Sequence, residues 1–221
     1  SKKFPKNNTI QDKKTMDNKS KKINITVLLT AGRLPLPILD KIHELAHRFD
    51  LELYCSTAQN IRLLNINADD TETIKDELAA LGAAFKKPGV FPIPRVCIGE
   101  PHCKLGLIDT KLLSEKILDH FKGRSVKPKV KIAIAACPAN CTNPVSTDIG
   151  IVATKAGLDL YAGGKGGPMP KIGRRIVKHG DEKTIIEAIE QLLDFHDAHT
   201  NKKQRMAKLL DHPEFPYPEA A

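Results

Sequence analysis

Four of the five cysteines come as two close pairs, Cys97 and Cys103 in "VCIGEPHCKL" and Cys137 and Cys141 in "IAACPANCTNP". The spacings are C-x5-C and C-x3-C, and both stretches carry the Gly or Pro of a loop, where backbone N–H groups can point at sulfur. A disulfide framework does not suit a chain of this size without a secretion signal, so metal ligation is the better reading. Zinc usually takes C-x2-4-C, which the second pair fits and the first does not. Four thiolates from two such loops suit a 4Fe-4S cluster better, with zinc and unligated thiols as the remaining readings. Cys55, inside "LELYCS", reads as a small buried hydrophobe of a strand.

Cations gather near these pairs. Lys129 and Lys131 share the parity of Cys137 along "PKVKIAIAAC", which puts them on one strand face while Val130, Ile132 and Ile134 enter the core on the other. Groups of this kind polarise an anion and deliver protons. Arg33 closes the first strand, Arg95 stands two residues before Cys97, and Arg62 follows "TAQN" by two; each can fork onto a carboxylate or an oxyanion. The run "GGKGGPMPK" has no Gly-Lys-Ser/Thr and is no phosphate loop. Its successive N–H groups could still form an anion nest, with Lys165, Lys171, Arg174 and Arg175 around it. His43 and His47, at i and i+4, fall on the polar side of an amphipathic helix and read as solvated.

The elements that hold these residues follow from apolar periodicity. "INITVLLT" is a buried strand; Pro35 or Pro37 then opens a helix on Ile38, Leu39, Ile42, Leu45, Ala46 and Phe49. Strands at Leu51–Ser56 and "NIRLLNI" follow, then a helix capped from Asp69 and closed by Gly82. This β-α-β-β-α order is the grammar of a ferredoxin-like split half-domain. After the linker "KKPGVFPIP", Leu112 to Phe121 mark a helix and "VKIAIA" a strand into the second pair. "DIGIVAT" and "GLDLYAG" form a hairpin, Asp181–His199 a helix, and "DHPEFPYPEAA" an extended tail.

With 221 residues, 41% hydrophobic and 28% charged, the chain can bury a real core. The net charge of +9 is uneven: residues 1–22 hold eight lysines against two aspartates, so +6 sits in that arm and the body is nearly neutral. No Trp, three Tyr and no basic helical stripe argue against a nucleic-acid platform. No stretch approaches the ~20 apolar residues of a membrane span or a secretory h-region, so a cytoplasmic protein with no membrane partner is expected.

Taken together, these stretches resemble the siroheme sulfite and nitrite reductase family. "CPANC" after a "K-x-K-I-A-I" strand and before "DIGIV", the upstream "GRLPLPILDKIHELAHRFDLELYCSTAQNIRLLNI", and "LDLYAGGKGGPMPKIGRRI" carry the likeness, over roughly residues 23–195. It implies an α+β chain: a basic arm at 1–22, a ferredoxin-like half-domain at 23–88, a siroheme and 4Fe-4S domain at 89–199 and a tail at 200–221. It further implies that Cys97, Cys103 and Cys137 hold only the cluster and that Cys141 also bridges to the siroheme iron. Lys129, Lys131, Arg62 and Arg95 would act on the anion. Arg33, Thr57, Gln59, Asn60, Thr142, Asn143, Gly163, Gly164, Lys165, Gly166, Lys171 and Arg174 would hold the carboxylate-rich macrocycle. Where relatives show "T-x-R-Q-N", this chain has Ala58 in place of the arginine.

The implied activity is six-electron reduction of sulfite to sulfide, with nitrite reduction or a non-catalytic carrier or sensor as alternatives. No strand-GxGxxG-helix unit is present, so an external donor such as a ferredoxin is expected, docked on the basic arm. Full-size relatives hold two copies of this module and this chain one, so a homodimer is a further expectation.

Overall fold

Isoleucine and valine alternate with polar residues in β1 (Lys22–Leu28), and the buried set Ile25, Val27 and Leu29 defines its inner face. A short 3-10 turn at Thr30–Gly32 bends the chain into α1 (Leu36–Phe49), where Pro35 and Pro37 preset the first turn. β2 (Glu52–Cys55), β3 (Ile61–Asn67), α2 (Thr71–Ala79) and β4 (Ala84–Phe85) complete the first unit, described within a computed structural model that covers residues 22–201 and 203–220. The strand order β2-β3-β1-β4 is antiparallel throughout, which is the ferredoxin-like arrangement. Ile38, Ile42 and Leu45 of α1 and Ile74 and Leu78 of α2 close its core against Ile25, Val27, Leu63 and Ile66. Asp69 does not cap α2: a 3-10 turn over Ala68–Asp70 leads straight into it, without a side-chain cap.

The second unit is built on a five-stranded sheet. β5 (Arg95–Val96), β6 (Ile132–Ala135) and β7 (Ile149–Thr154) run parallel; β8 (Gly157–Ala162) and β9 (Arg174–Gly180) return antiparallel. α3 (Thr110–His120), capped by Asp109 accepting from Lys111 and Leu112 N–H, makes the β5-to-β6 crossover. α4 (Glu182–Ala198) is capped by Asp181. The alternation Ile-Ala-Ile-Ala in β6 sends Ile132 and Ile134 into the core beside Ile149 and Ile151, and leaves the small Ala133 and Ala135 on the other face. β9 is a strand the sequence reading assigned to no element. No helix among the described residues is long and apolar enough to cross a membrane.

One expectation changes here. The C-terminal segment is no extended tail: Met206, Leu209 and Leu210 are buried in the second core, and Phe215 and Tyr217 pack against it. The basic arm falls, except for Lys22 in β1, outside the described residues.

Candidate functional site

The β5-to-α3 loop and the β6-to-β7 loop leave the same end of the parallel strands, and this brings the two cysteine pairs together. Cys97 N–H donates to Ile134 C=O at 3.2 Å and Leu107 N–H to Ala136 C=O at 2.9 Å, lacing the first loop to the end of β6. Ala136 N–H in turn donates to Cys97 Sγ at 3.1 Å, which ties the sulfur to the end of β6. Thr110 Oγ1 donates to Cys97 C=O at 2.6 Å, and Cys103 N–H to Gly99 C=O at 2.8 Å, closing the turn around the cis Glu100–Pro101 bond. In the second loop Asn140 N–H donates to Cys137 C=O, Asn140 and Asn143 take left-handed backbone, and Thr142 Oγ1 donates to Ile134 C=O at 2.7 Å. Gly150 in β7 is obligatory, because a Cβ there would lie 2.0 Å from Pro144 C=O.

Cys97, Cys103, Cys137 and Cys141 all line one cavity of about 640 Å³. Its apolar walls include Leu29, Ala31, Leu34, Val96 and Ile98, and it spans both units. Cys141 is exposed, while the other three are half-buried. Cys55 corrects the sequence reading. It is exposed at the end of the edge strand β2, has no strand beyond it to cover it, and lines the same cavity as a fifth free thiol.

The predicted cations divide. Arg33 is the one basic side chain among the described lining residues. Arg95 lies behind the wall: its Nε donates to Thr142 C=O at 3.1 Å and a terminal nitrogen to Thr147 Oγ1 at 3.3 Å, while burial lowers its pKa. Lys129 has φ +87 and precedes β6, so the strand parity proposed for it does not extend that far. Lys131 is held below its ordinary range by burial first and then by Arg205, with Arg95 and Lys129 adding to the effect and Asp148 opposing it. Lys129 and Lys131 are both outside the cavity lining. Arg62 lies near the start of β3 opposite Thr26 and Tyr54, on the sheet face away from the helices, and does not line the cavity.

The "STAQN" turn positions more than it exposes. Thr57 and Ala58 form its exposed tip. Asn60 Oδ1 accepts from Leu29 N–H at 2.9 Å, fixing the turn to the end of β1. Gln59 forms a two-way amide clamp on β5, with Nε2 donating to Val96 C=O at 2.6 Å and Val96 N–H donating to Oε1 at 2.8 Å. Gln59 and Asn60 both line the cavity, so this clamp sets the spacing of its two walls. Gln59→Ala orphans both Val96 groups and is expected to cost about 1–3 kcal/mol, read as a lowered urea midpoint at unchanged slope.

The glycine segment is tied down at its base. Gly163 N–H donates to Asp148 C=O and Gly173 N–H to Val145 C=O, while Lys165 and Lys171 exchange backbone bonds at 2.9 and 2.8 Å. An anion nest is thereby confined to the tip between Gly166 and Pro170. A Cβ at Gly164 would stand 2.4 Å from Val145 C=O, whereas one at Gly166 would meet nothing within 4 Å. Arg174, expected at a cofactor, instead faces the C-terminal segment, with Tyr217 C=O at 3.4 Å, Asp211 at 3.6 Å and the Phe215 ring at 5.5 Å. Asn143 is an exposed left-handed hinge whose C=O accepts from Thr147 Oγ1 at 2.8 Å.

Asp148 is the residue the sequence reading missed. Fully buried, it accepts from Arg205 Nε at 2.6 Å, from Met206 N–H at 3.1 Å and, through its other oxygen, from Lys131 N–H at 3.1 Å. Arg205 also reaches Gly164 C=O at 3.4 Å. This one ion pair joins the lysine segment, the glycine loop and the C-terminal segment. Burial holds Asp148 above its ordinary range, and Arg205 opposes the rise. The signal for it was the acid inside "TDIGIV", a buried-strand pattern where a carboxylate needs a partner.

Four thiols around one cavity, one of them already accepting an N–H bond, fit a 4Fe-4S cluster by donor type. The apolar walls and Arg33 fit a flat macrocycle carrying carboxylates. Comparison with known proteins agrees with this geometry. Residues 94–213 match the nitrite and sulphite reductase 4Fe-4S domain, and residues 17–81 the nitrite/sulfite reductase ferredoxin-like half domain. A nitrite reductase [NAD(P)H] large subunit of Klebsiella oxytoca is 28% identical over 84% of the chain, but the match covers only 20% of that protein. An assimilatory-type sulfite reductase of Nitratidesulfovibrio vulgaris is 25% identical over 81% of the chain and 83% of its own length. The chain thus spans about a fifth of the nitrite reductases it matches and most of the smaller sulfite reductase. Among solved structures, the NirA protein of Mycobacterium tuberculosis superposes with a TM-score of 0.68 at 19% identity, over 84% of this chain and 37% of that one; at this identity the likeness speaks for the fold. With both domain models matched in order, and with them the siroheme and 4Fe-4S cofactors they imply, the chain belongs to the nitrite and sulfite reductase family.

Proposed function

We propose that this protein is a siroheme-dependent reductase that takes sulfite to sulfide with six electrons from an external donor such as a ferredoxin. The observation that carries the reading is the convergence of Cys97, Cys103, Cys137 and Cys141 on a single cavity whose one basic lining side chain among the described residues is Arg33. Those four residues would hold the cluster, and the exposure of Cys141 suits a sulfur shared with the siroheme iron. When bound, the cofactors would relay the donor's electrons to the anion.

The chain's own residues supply charge and protons. Arg33 neutralises the anion from the wall. Lys131, its ammonium made more acidic by burial and neighbouring cations, is the proton source, with Lys129 beside it. The positive surface of Lys165 and Lys171 complements macrocycle carboxylates. Sulfite as the anion is supported by the likeness to a protein named an assimilatory-type sulfite reductase, 25% identical over 81% of this chain.

Turnover of the anaerobically isolated protein with a reduced viologen tests this. Sulfide released from sulfite, faster than ammonia from nitrite, supports the reading; the reverse order selects nitrite. Arg33→Ala should raise KM for the anion by about tenfold, the loss of one charge-assisted hydrogen bond, with cluster content unchanged. Lys131→Met should lower kcat more than KM, and an unchanged pH–rate profile in this variant would remove Lys131 from the proton path.

A further inference from the structure

We propose that His199, His212 and Glu214 form a binding site for a divalent transition metal of the zinc class, outside the cysteine cavity, that clips the C-terminal segment to the end of α4. One ligand atom from each of the three lies within 4.8 Å of the others. Two imidazoles and a carboxylate are a donor set that N/O-binding metals favour over thiolate-seeking ones. This inference is independent of the siroheme reading, because none of the three residues lines the cysteine cavity.

The orientation of His199 carries the case. Its ring stacks on Phe195 at 4.2 Å between centroids, and its Nδ1 lies 2.9 Å from Phe195 C=O. A carbonyl only accepts, so Nδ1 carries the hydrogen; Phe195 C=O and Glu214 raise the His199 pKa, so an ion at Nε2 takes the lone pair by displacing a proton. That lone pair faces Glu214 Oε2 at 3.0 Å. Two acceptors at this distance require a cation or a proton between them. The backbone-anchored Nδ1–H with a free Nε2 is also how metal-ligating histidines are oriented in general.

His212 brings the third donor. Its ring centroid is 4.4 Å from that of His199, and Glu214 N–H donates to His212 Nδ1 at 3.2 Å, so the His212-Pro213-Glu214 turn aims both side chains at His199. Coordination through His212 Nδ1 would replace that hydrogen bond. Glu214 is exposed and free to rotate onto an ion at about 2.0–2.2 Å. The segment so fixed contains Arg205 and Met206, which hold Asp148. The metal would therefore be structural, stabilising the far end of the strap that braces the lysine and glycine segments.

Cluster-loaded Cys55→Ser protein, in which every remaining thiol is a cluster ligand, is dialysed against micromolar Zn2+ and assayed for metal. About one zinc per chain should be retained, and thermal unfolding should move up with zinc. His212→Asn and Glu214→Gln, both on the surface segment, should each weaken retention by roughly tenfold or more and abolish the zinc-dependent thermal shift. A His43→Ala/His47→Ala variant, which removes the exposed histidine pair on α1, should retain zinc as the Cys55→Ser parent does. No zinc on that parent, or equal retention by the variants, overturns the site and leaves a proton-bridged His199–Glu214 pair in its place.

Discussion

Replacing Cys97 by serine is expected to strip the protein of its cluster, with non-siroheme iron and acid-labile sulfide falling from about four each to near zero. Serine keeps the volume but offers no thiolate, and it loses the sulfur that accepts the Ala136 N–H at the root of the loop. Cys55→Ser makes the experiment decisive. Cys55 lines the same cavity, so five thiols are available and proximity alone does not select four. The paired spacing selects Cys97, Cys103, Cys137 and Cys141, and the lacing of both loops to the end of β6 explains why they act as a unit. Cys55, at the edge of the other sheet, is not so laced. Full iron and sulfide in Cys55→Ser, beside none in Cys97→Ser, is the expected pair of results; the opposite pair would reassign the ligands.

Arg205→Ala is the second large effect. It leaves the carboxylate of Asp148 buried and without its cation, a loss of about 3 kcal/mol, and with that a fall in Tm of roughly 10 °C for a chain of this size. Backbone donors from Lys131 and Met206 remain, which keeps the cost at the lower end for a broken buried pair. The sign of the pH dependence follows from the direction of the shift. The folded pKa of Asp148 lies above its ordinary value and Arg205 restrains it, so removing Arg205 raises it further. Below the folded pKa the group is neutral and needs no cation. The Arg205→Ala penalty should therefore be full near neutral pH and shrink as pH falls through that folded value, measured by denaturant melts of both proteins across the acid range. A penalty that is flat with pH would mean that Arg205 acts through packing alone.

Much of this was legible in the residues because the signals were local. Apolar periodicity located α1, α3, α4 and the β7–β8 hairpin, and Gly/Pro punctuation placed both cysteine loops at element ends. What escaped depended on contacts far apart in sequence. Cys55 looked buried because it sits inside a strand, and nothing local says that β2 is the edge. Lys129 looked in register with Lys131 until a positive φ broke the parity between them. Arg174 looked free beside a glycine loop, but Phe215 and Tyr217 return over it from some forty residues downstream. The same return makes the C-terminal segment part of the core and brings Arg205 to Asp148, a pairing that only tertiary structure creates.

The visible absorption spectrum of the anaerobically isolated protein, taken with iron and sulfide counts, tests the central claim most directly. The account predicts siroheme bands together with about four irons and four sulfides beyond the macrocycle's own iron. A plain iron-sulfur shoulder without tetrapyrrole bands, or a colourless protein holding zinc on its cysteines, would contradict it.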